Sequence, residues 1–409
     1  MTFKEFNLNK IIEKSLEENL YITPTAIQEK VIPLVLESND IIAKAQTGSG
    51  KTAAFVLPIL NHYSLNIKEG KAKIRTLVLA PTRELTLQIA DIFKTLGSNL
   101  ILNLKIVSVI GGKSIGDQLL DIQKGCDIVV ATAGRLLDII DKKQINLDNL
   151  EFFVLDEADK MLDLGFAEEL ELILKQLPQK RQNLLFSATY PPKMKQIASM
   201  ITTNAIEVSI QDEQPTVELI KQRAIEVNME NRNPLLRELI SSNSWERVLV
   251  FMANNRAANN IAAKFRKYNI NAQSFHGDLT QEDREYTLKE FKDKKIKVLF
   301  SSDIAARGLD IDDISCIINF DLPRSPADYI HRIGRSGRAG REGLAISFIT
   351  LENSEHFKLI EKRANIKLER EQIKGFELIG TPIEKEKGKE PVKGKRRSKK
   401  DKLREQKKD

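Results

Sequence analysis

The chain has 409 residues, 41% of them hydrophobic, enough for two domains with filled cores and an extension, and no apolar run approaches the ~20 residues of a membrane-spanning helix. Its formal charge of +7 sits at one end: residues 385–409 carry thirteen Lys/Arg against five Asp/Glu, a net of +8, which leaves −1 for the rest. Two cysteines, Cys126 and Cys316, and four scattered histidines lack the spacing of a zinc site or a disulfide framework, and with no apolar signal segment after Met1 a reduced, cytoplasmic protein is expected.

Residues 40–44 read as a strand and 51–60 as a helix. Between them stands Ala45-Gln46-Thr47-Gly48-Ser49-Gly50-Lys51-Thr52. The glycines let backbone N–H groups curl around a polyphosphate, and the helix N-terminus adds a favourable dipole. Lys51 is placed to reach the β and γ phosphates, and the Thr52 hydroxyl to ligate Mg²⁺. Ala45 stands where the general motif has its first glycine. Strand-like runs follow at 76–80, 106–110, 127–131, 152–155, 184–186 and 205–210, with helical patterns between them, which predicts an α/β fold.

The run 152–155 is continuously apolar, as a buried parallel strand is, and it ends in Asp156-Glu157-Ala158-Asp159. Adjacent carboxylates at such an end can serve a metal and a water. A lone acidic tetrad would be a weak signal. Behind a phosphate loop it describes a nucleotide-hydrolysis site. Other strands also end in polar clusters: Pro81-Thr82-Arg83-Glu84, Gly111-Gly112, Thr132-Ala133-Gly134-Arg135 and Ser187-Ala188-Thr189. Singly these are ordinary turns and caps. Jointly, at the ligand edge of an open sheet, they suit a sugar–phosphate backbone.

A composition break at 211–218 reads as a linker. Strand-like runs resume at 248–251, 272–275, 298–300, 316–320 and 345–349, with no second phosphate loop. Arg335 and Arg338 lie about one helical turn apart and could reach a γ-phosphate held by the first half. The predicted division is 1–210, linker 211–218, 219–372, and a basic disordered tail 373–409 that could tether nucleic acid.

With these motifs in order along nearly the whole chain, the sequence resembles a DEAD-box ATP-dependent RNA helicase, and its basic tail and short leader resemble the RhlE-type bacterial branch. The resemblance adds Phe3, Tyr21 and Pro24-Thr25-Ala26-Ile27-Gln28 upstream, and Gln281-Glu282-Asp283-Arg284, Ser302 to Asp310 and His331 to Arg338 downstream. Ala133 stands for the usual Pro, Ser301-Ser302 for a Thr pair, and Leu20 for a Gly. The implied fold is two tandem RecA-like domains, each a parallel sheet flanked by helices.

The resemblance also implies roles. ATP and Mg²⁺ are the cofactors. Gln28 reads the adenine edge, Phe3 stacks on the base with Tyr21 beside it, and Ala45 to Thr52 cradle the phosphates. Thr52 and Asp156 hold Mg²⁺, and Glu157 positions and deprotonates the attacking water. Arg335 and Arg338 stabilise the transferring phosphoryl group, while Gly308 and Asp310 contact the nucleotide from the second domain. Ser187, Thr189, Asp159 and His331 couple the ligands and domains. RNA contacts come from Pro81, Arg83, Gly112, Thr132, Arg135, Gly277, Arg284 and Ser302. The expected partner is RNA, held by its backbone, with ribosomal or RNA-decay assemblies as the setting, a monomeric core and no membrane.

Overall fold

Short runs of Val, Ile, Leu and Phe bounded by turn residues form strands buried on both faces, as parallel sheets require. In the computed structural model, which describes residues 2–45, 48–66, 70–100, 104–190, 192–210, 220–306, 311, 314–336 and 343–380, these strands make two sheets. The first holds β1 (Ile41–Lys44), β2 (Thr76–Leu79), β3 (Ile106–Val109), β4 (Ile128–Ala131), β5 (Phe152–Leu155), β6 (Gln182–Ser187) and β7 (Ile206–Ser209). Their order is β3-β4-β2-β5-β6-β1-β7, and every pairing is parallel. The second holds β8 (Ile220–Glu226), β9 (Val248–Phe251), β10 (Ala272–Phe275), β11 (Val298–Ser301), β12 (Cys316–Asn319), β13 (Gly343–Ile349) and β14 (Arg370–Gln372). Its order, β10-β11-β9-β12-β13-β8-β14, is the same permutation counted from its own first strand.

Helices cover both faces. On one face of the first sheet, Phe55, Phe93 and Phe186 interlock from two helices and β6, with ring centroids 5.2 and 6.3 Å apart. On the other, Met161, Leu136 and Met194 close a second core. Truncating one such buried ring costs ~3–5 kcal/mol, so the sheet is held as a rigid platform for the loops at its carboxyl edge. Cys126 and Cys316 are both buried in strand regions, as expected. Among the described residues no helix is long and apolar enough to cross a membrane.

Two expectations change. Strands β8 and β14 carry no clear apolar alternation, since β8 reads Ile-Lys-Gln-Arg-Ala-Ile-Glu, yet β8 lies between β13 and β14. Residues 373–380 are not tail. Ile373 and Phe376 pack on the second core, Leu378 N–H donates to Gln372 Oε1 at 3.0 Å, and Ile379 N–H to Asn228 Oδ1 at 3.1 Å. The linker and the basic segment 385–409 lie outside the described residues.

Candidate active site and nucleic-acid interface

The turn after β1 is built on two left-handed glycines, Gly48 at φ 87° and Gly50 at φ 91°. A Cβ on Gly50 would stand 2.6 Å from Gln28 Nε2 and 2.8 Å from Thr25 Oγ1, so no side chain fits there. Thr25 caps helix Ala26–Leu36 in a reciprocal box, in which Thr25 N–H donates to Gln28 Oε1 at 2.9 Å. Gln28 Nε2 in turn donates to Gly50 O at 3.0 Å. The Gln28 amide is thus the strut between the upstream element and the phosphate loop. Lys51, at the first turn of helix Lys51–Leu65, is buried and donates to Ala45 O across the loop at 2.8 Å, and Ala45 N–H donates to Ser187 O at 3.1 Å. Thr52 is half-buried beside it, and Ser49 lies in the same turn.

Phe3 does not offer its ring as expected. It is 5% exposed and packs edge-on against Phe6 at 5.9 Å and Tyr21 at 6.3 Å. Tyr21 is half-exposed, the ring of this group nearer the surface, with Phe3 backing it from the core.

Beyond β5 the two carboxylates sit in unlike surroundings. Asp156 Oδ1 accepts from Glu157 N–H at 2.9 Å. Burial pushes Asp156 up to about 6, against the pull of Lys51. Glu157 holds a left-handed backbone, φ 48°, rare for a side chain of its size and a form of strain that collects at active sites. Burial acts to raise its carboxyl too, but Lys160, Lys51 and Arg335 together hold it down at about 2. Lys160, itself buried, places Nζ 2.5 Å from Glu157 Oε1. Sequence reading passed over Lys160, because a Lys three residues after a Glu is ordinary on any exposed helix. Only burial makes it informative.

The coupling residues do converge. Asp159 Oδ2 accepts from Thr189 N–H at 2.8 Å and Thr189 Oγ1 at 2.9 Å, Asp159 N–H donates to Ser187 Oγ at 3.3 Å, and Ser187 Oγ donates to Thr189 O at 2.7 Å. His331 comes to this cluster from the second half. Burial lowers its proton affinity, Lys160 adds to that, and Asp159 opposes it. Arg335 is likewise buried within the field of Glu157 and Lys160. Gln46, Thr47, Gly308, Asp310 and Arg338 lie outside the described residues.

Among the described residues no three His, Cys, Asp or Glu side chains cluster as a metal cage. Mg²⁺ takes one or two carboxylates plus phosphate oxygens and keeps waters. A buried Asp156 with Thr52 on the adjacent helix turn fits that donor set.

On the neighbouring strand ends, Arg83 lies across the Gly111-Gly112 turn; a Cβ on Gly112 would stand 2.5 Å from Arg83 Nη1, and Gly112 is left-handed at φ 83°. Arg135 donates to Lys113 O at 3.0 Å. Burial lowers the proton affinity of Arg83, and the charges of Arg284 and Arg135 add to it, so these cations share one field. Pro81 is buried, Thr132 and Ser302 are half-buried, and Gly277 is exposed with nothing within 4 Å of an added Cβ.

Arg284 departs from its expected role. It is 6% exposed, pairs with Glu84 Oε1 at 2.7 Å, donates to His276 O at 3.2 Å and lies over the Phe275 ring at 4.7 Å. Its guanidinium joins the two halves; it is not held out to a phosphate. Lys113 and Glu285 make a second cross-half pair at 2.9 Å. Glu84 was missed because its partner lies 200 residues away. Arg332 was missed too; it pairs with Asp303 at 2.5 and 2.7 Å and lies over Phe251, bracing the second half from within.

Comparison with known proteins agrees with this geometry. The DEAD/DEAH box helicase family matches residues 25–197, and the helicase conserved C-terminal domain matches residues 231–340. The DEAD-box ATP-dependent RNA helicase CshA of Bacillus subtilis is 38% identical over 370 residues, 90% of this chain and 74% of that protein. S. cerevisiae Dbp5 bound to RNA and ADP BeF3 is 31% identical over 91% of this chain and 95% of that one, with a TM-score of 0.80. A point variant of Dbp5 bound to Nup159, a point variant of Gle1, IP6 and ADP, at 30% identity and 90% and 96% coverage, gives only 0.61. At near-equal identity, this chain superposes better on the RNA-bound Dbp5. The RhlE-type branch finds no support among these relatives, which carry the name CshA. The chain is a member of the DEAD-box RNA helicase family.

Proposed function

We propose that this chain is an ATP-dependent RNA helicase that opens short duplexes locally through closure of its two halves. The observation that carries the reading is Glu157, buried beyond the end of β5 within the fields of Lys51 of its own half and Arg335 from the other. In this reading Gly48, Ser49, Gly50 and Lys51 bind the polyphosphate, and Tyr21 and Gln28 lie at the base end. Thr52 and Asp156 would hold Mg²⁺, which would supply positive charge next to the phosphates. Glu157 orients a water and takes its proton, and Arg335 supports the charge that develops.

RNA lies along Arg83, Gly112, Thr132 and Arg135 on one half and Gly277 and Ser302 on the other, read through phosphates and sugars. Closure assembles both sites, so each ligand strengthens the other's binding. Residues 385–409, with their net charge of +8, tether RNA during reopening. A cytoplasmic monomer acting in ribosomal or RNA-decay assemblies is the setting we infer. Its kinship lies with the relatives named CshA.

The test is Glu157→Gln, which keeps shape and removes the base. ATP and RNA binding should persist while RNA-stimulated hydrolysis and ATP-driven displacement of a short RNA duplex are lost. Hydrolysis within a few-fold of the parent would overturn the assignment, and equal stimulation by DNA would overturn the choice of RNA.

A further inference from the structure

Lys160 is not explained by the reaction just described. Its ammonium is buried, 3% exposed, on the inner face of helix Ala158–Asp163. It sits 2.5 Å from Glu157 Oε1, the carboxylate that the proposed function aims at the γ-phosphate through a water. Its field also reaches His331 from the second half and is felt together with those of Lys51 and Arg335. A salt bridge on the outside of a helix would be worth almost nothing. A buried ammonium is different: it must keep an anionic partner, because leaving it unpaired costs several kcal/mol. The γ-phosphate carries more charge than one carboxylate and arrives within the same cluster of cations. Glu157 and the γ-phosphate are therefore rivals for one ammonium.

We propose that Lys160 is a γ-phosphate-sensing residue, which covers Glu157 when no γ-phosphate is bound and transfers to the γ-phosphate of ATP, uncovering the base and setting the preference for ATP over ADP. No covalent bond changes in this step; one ion pair is exchanged for another. The transfer makes base exposure conditional on the substrate, which keeps a preassembled carboxylate from acting out of turn. The proposal rests on Glu157 facing the γ-phosphate, and its test reads binding, whereas that assignment is read by turnover.

The experiment is titration of the full chain, with saturating RNA, using fluorescent ADP and a fluorescent non-hydrolysable ATP analogue. Lys160→Gln should weaken the analogue about tenfold or more, the loss of one charge-assisted hydrogen bond, and leave ADP within about twofold. Lys160→Arg should restore part of the difference. Glu157→Gln should tighten the analogue by freeing the ammonium, and the gain should vanish in the double variant. Equal weakening of both nucleotides would show a structural role and overturn the proposal. So would unchanged analogue binding, or a gain in Glu157→Gln that survives loss of Lys160. If Lys160→Gln fails to fold, Glu157→Gln alone still decides, because unaltered analogue affinity there overturns the exchange.

Discussion

The two halves share one strand order and diverge at the ends of particular strands. The ends of the third and fourth strands match: Gly112 follows β3 as Gly277 follows β10, and Thr132 follows β4 as Ser302 follows β11. The ends of the first and fifth do not. Where β1 opens into the phosphate loop, β8 leads to Asn228, whose Oδ1 accepts Ile379 N–H at 3.1 Å. Where β5 ends in Asp156 and Glu157, β12 ends in Asp321, which accepts Arg232 Nη1 at 2.8 Å and Ala253 N–H at 2.8 Å. In the proposed reading, one architecture offers a nucleic-acid backbone similar small groups twice and a nucleotide its carboxylates once. The second half brings its arginine to the site from across the cleft.

The sharpest way to break this division is Arg335→Ala. If the second half serves chemistry only across the cleft, kcat at saturating ATP and RNA should fall by about 10³-fold. Nucleotide affinity should change little. A comparable loss of affinity would mean that Arg335 binds the ground state, and the halves would not be divided as described.

Next in size is the seam itself. Arg284 and Glu84 are buried together at 2.7 Å, each in the first turn of a helix that follows a strand end. Glu84→Gln should leave an unpaired guanidinium in the closed state and raise the RNA concentration for half-maximal hydrolysis by about tenfold, or ~1.4 kcal/mol. Pairing it with Arg284→Gln should cost less than the two changes summed. Strict additivity would show that the pair does not couple the halves.

These contrasts explain what was legible in the sequence. The phosphate loop, Asp156-Glu157 and Ser187-Ala188-Thr189 are contiguous, so their chemistry shows in order along the chain. The apolar strands β2, β4 and β5 were equally plain, buried at every position. What escaped depends on distance or burial. Strand β8 is held by its neighbours β13 and β14 and not by its own pattern. Arg284 looked like a phosphate ligand because Glu84 is invisible from its own segment. Phe3 looked like a stacking ring because nothing local announces Phe6 and Tyr21 around it.

A smaller effect separates the corresponding carboxylates. Asp321→Asn should lose about 1–2 kcal/mol of stability, by weakening the tie to Arg232 and Ala253. It should leave kcat unchanged. Asp156→Asn should do the reverse, abolishing hydrolysis with little loss of stability. Denaturant unfolding beside steady-state ATPase decides it, and a catalytic defect in Asp321→Asn would erase the distinction between the two strand ends.

The smallest expected effect lies where a helix in each half ends in a left-handed residue. In the second half, helix Ser354–Ala364 ends at Asn365, φ 53°, and Ile366 N–H donates to Glu361 O at 3.0 Å. Near the front of the first, helix Lys10–Glu18 is followed by Leu20, φ 59°, and Tyr21 N–H donates to Leu16 O at 2.9 Å. The turn is the same, but asparagine tolerates it and leucine does not. Leu20 gains nothing by packing, since it is 81% exposed. The left-handed backbone costs ~1–2 kcal/mol for such a residue, and glycine gives back about half of that in chain entropy. Leu20→Gly should therefore stabilise the protein by about 0.5–1 kcal/mol, and Asn365→Gly should change it little. The next residue, Tyr21, is the ring that the proposed function puts at the base end of the nucleotide site. If the turn is only a turn, ATP affinity should be the same with either residue at position 20. Weaker ATP binding in a more stable Leu20→Gly protein would mean instead that the strained leucine fixes the direction of Tyr21, and that this half spends stability to hold the ring in place.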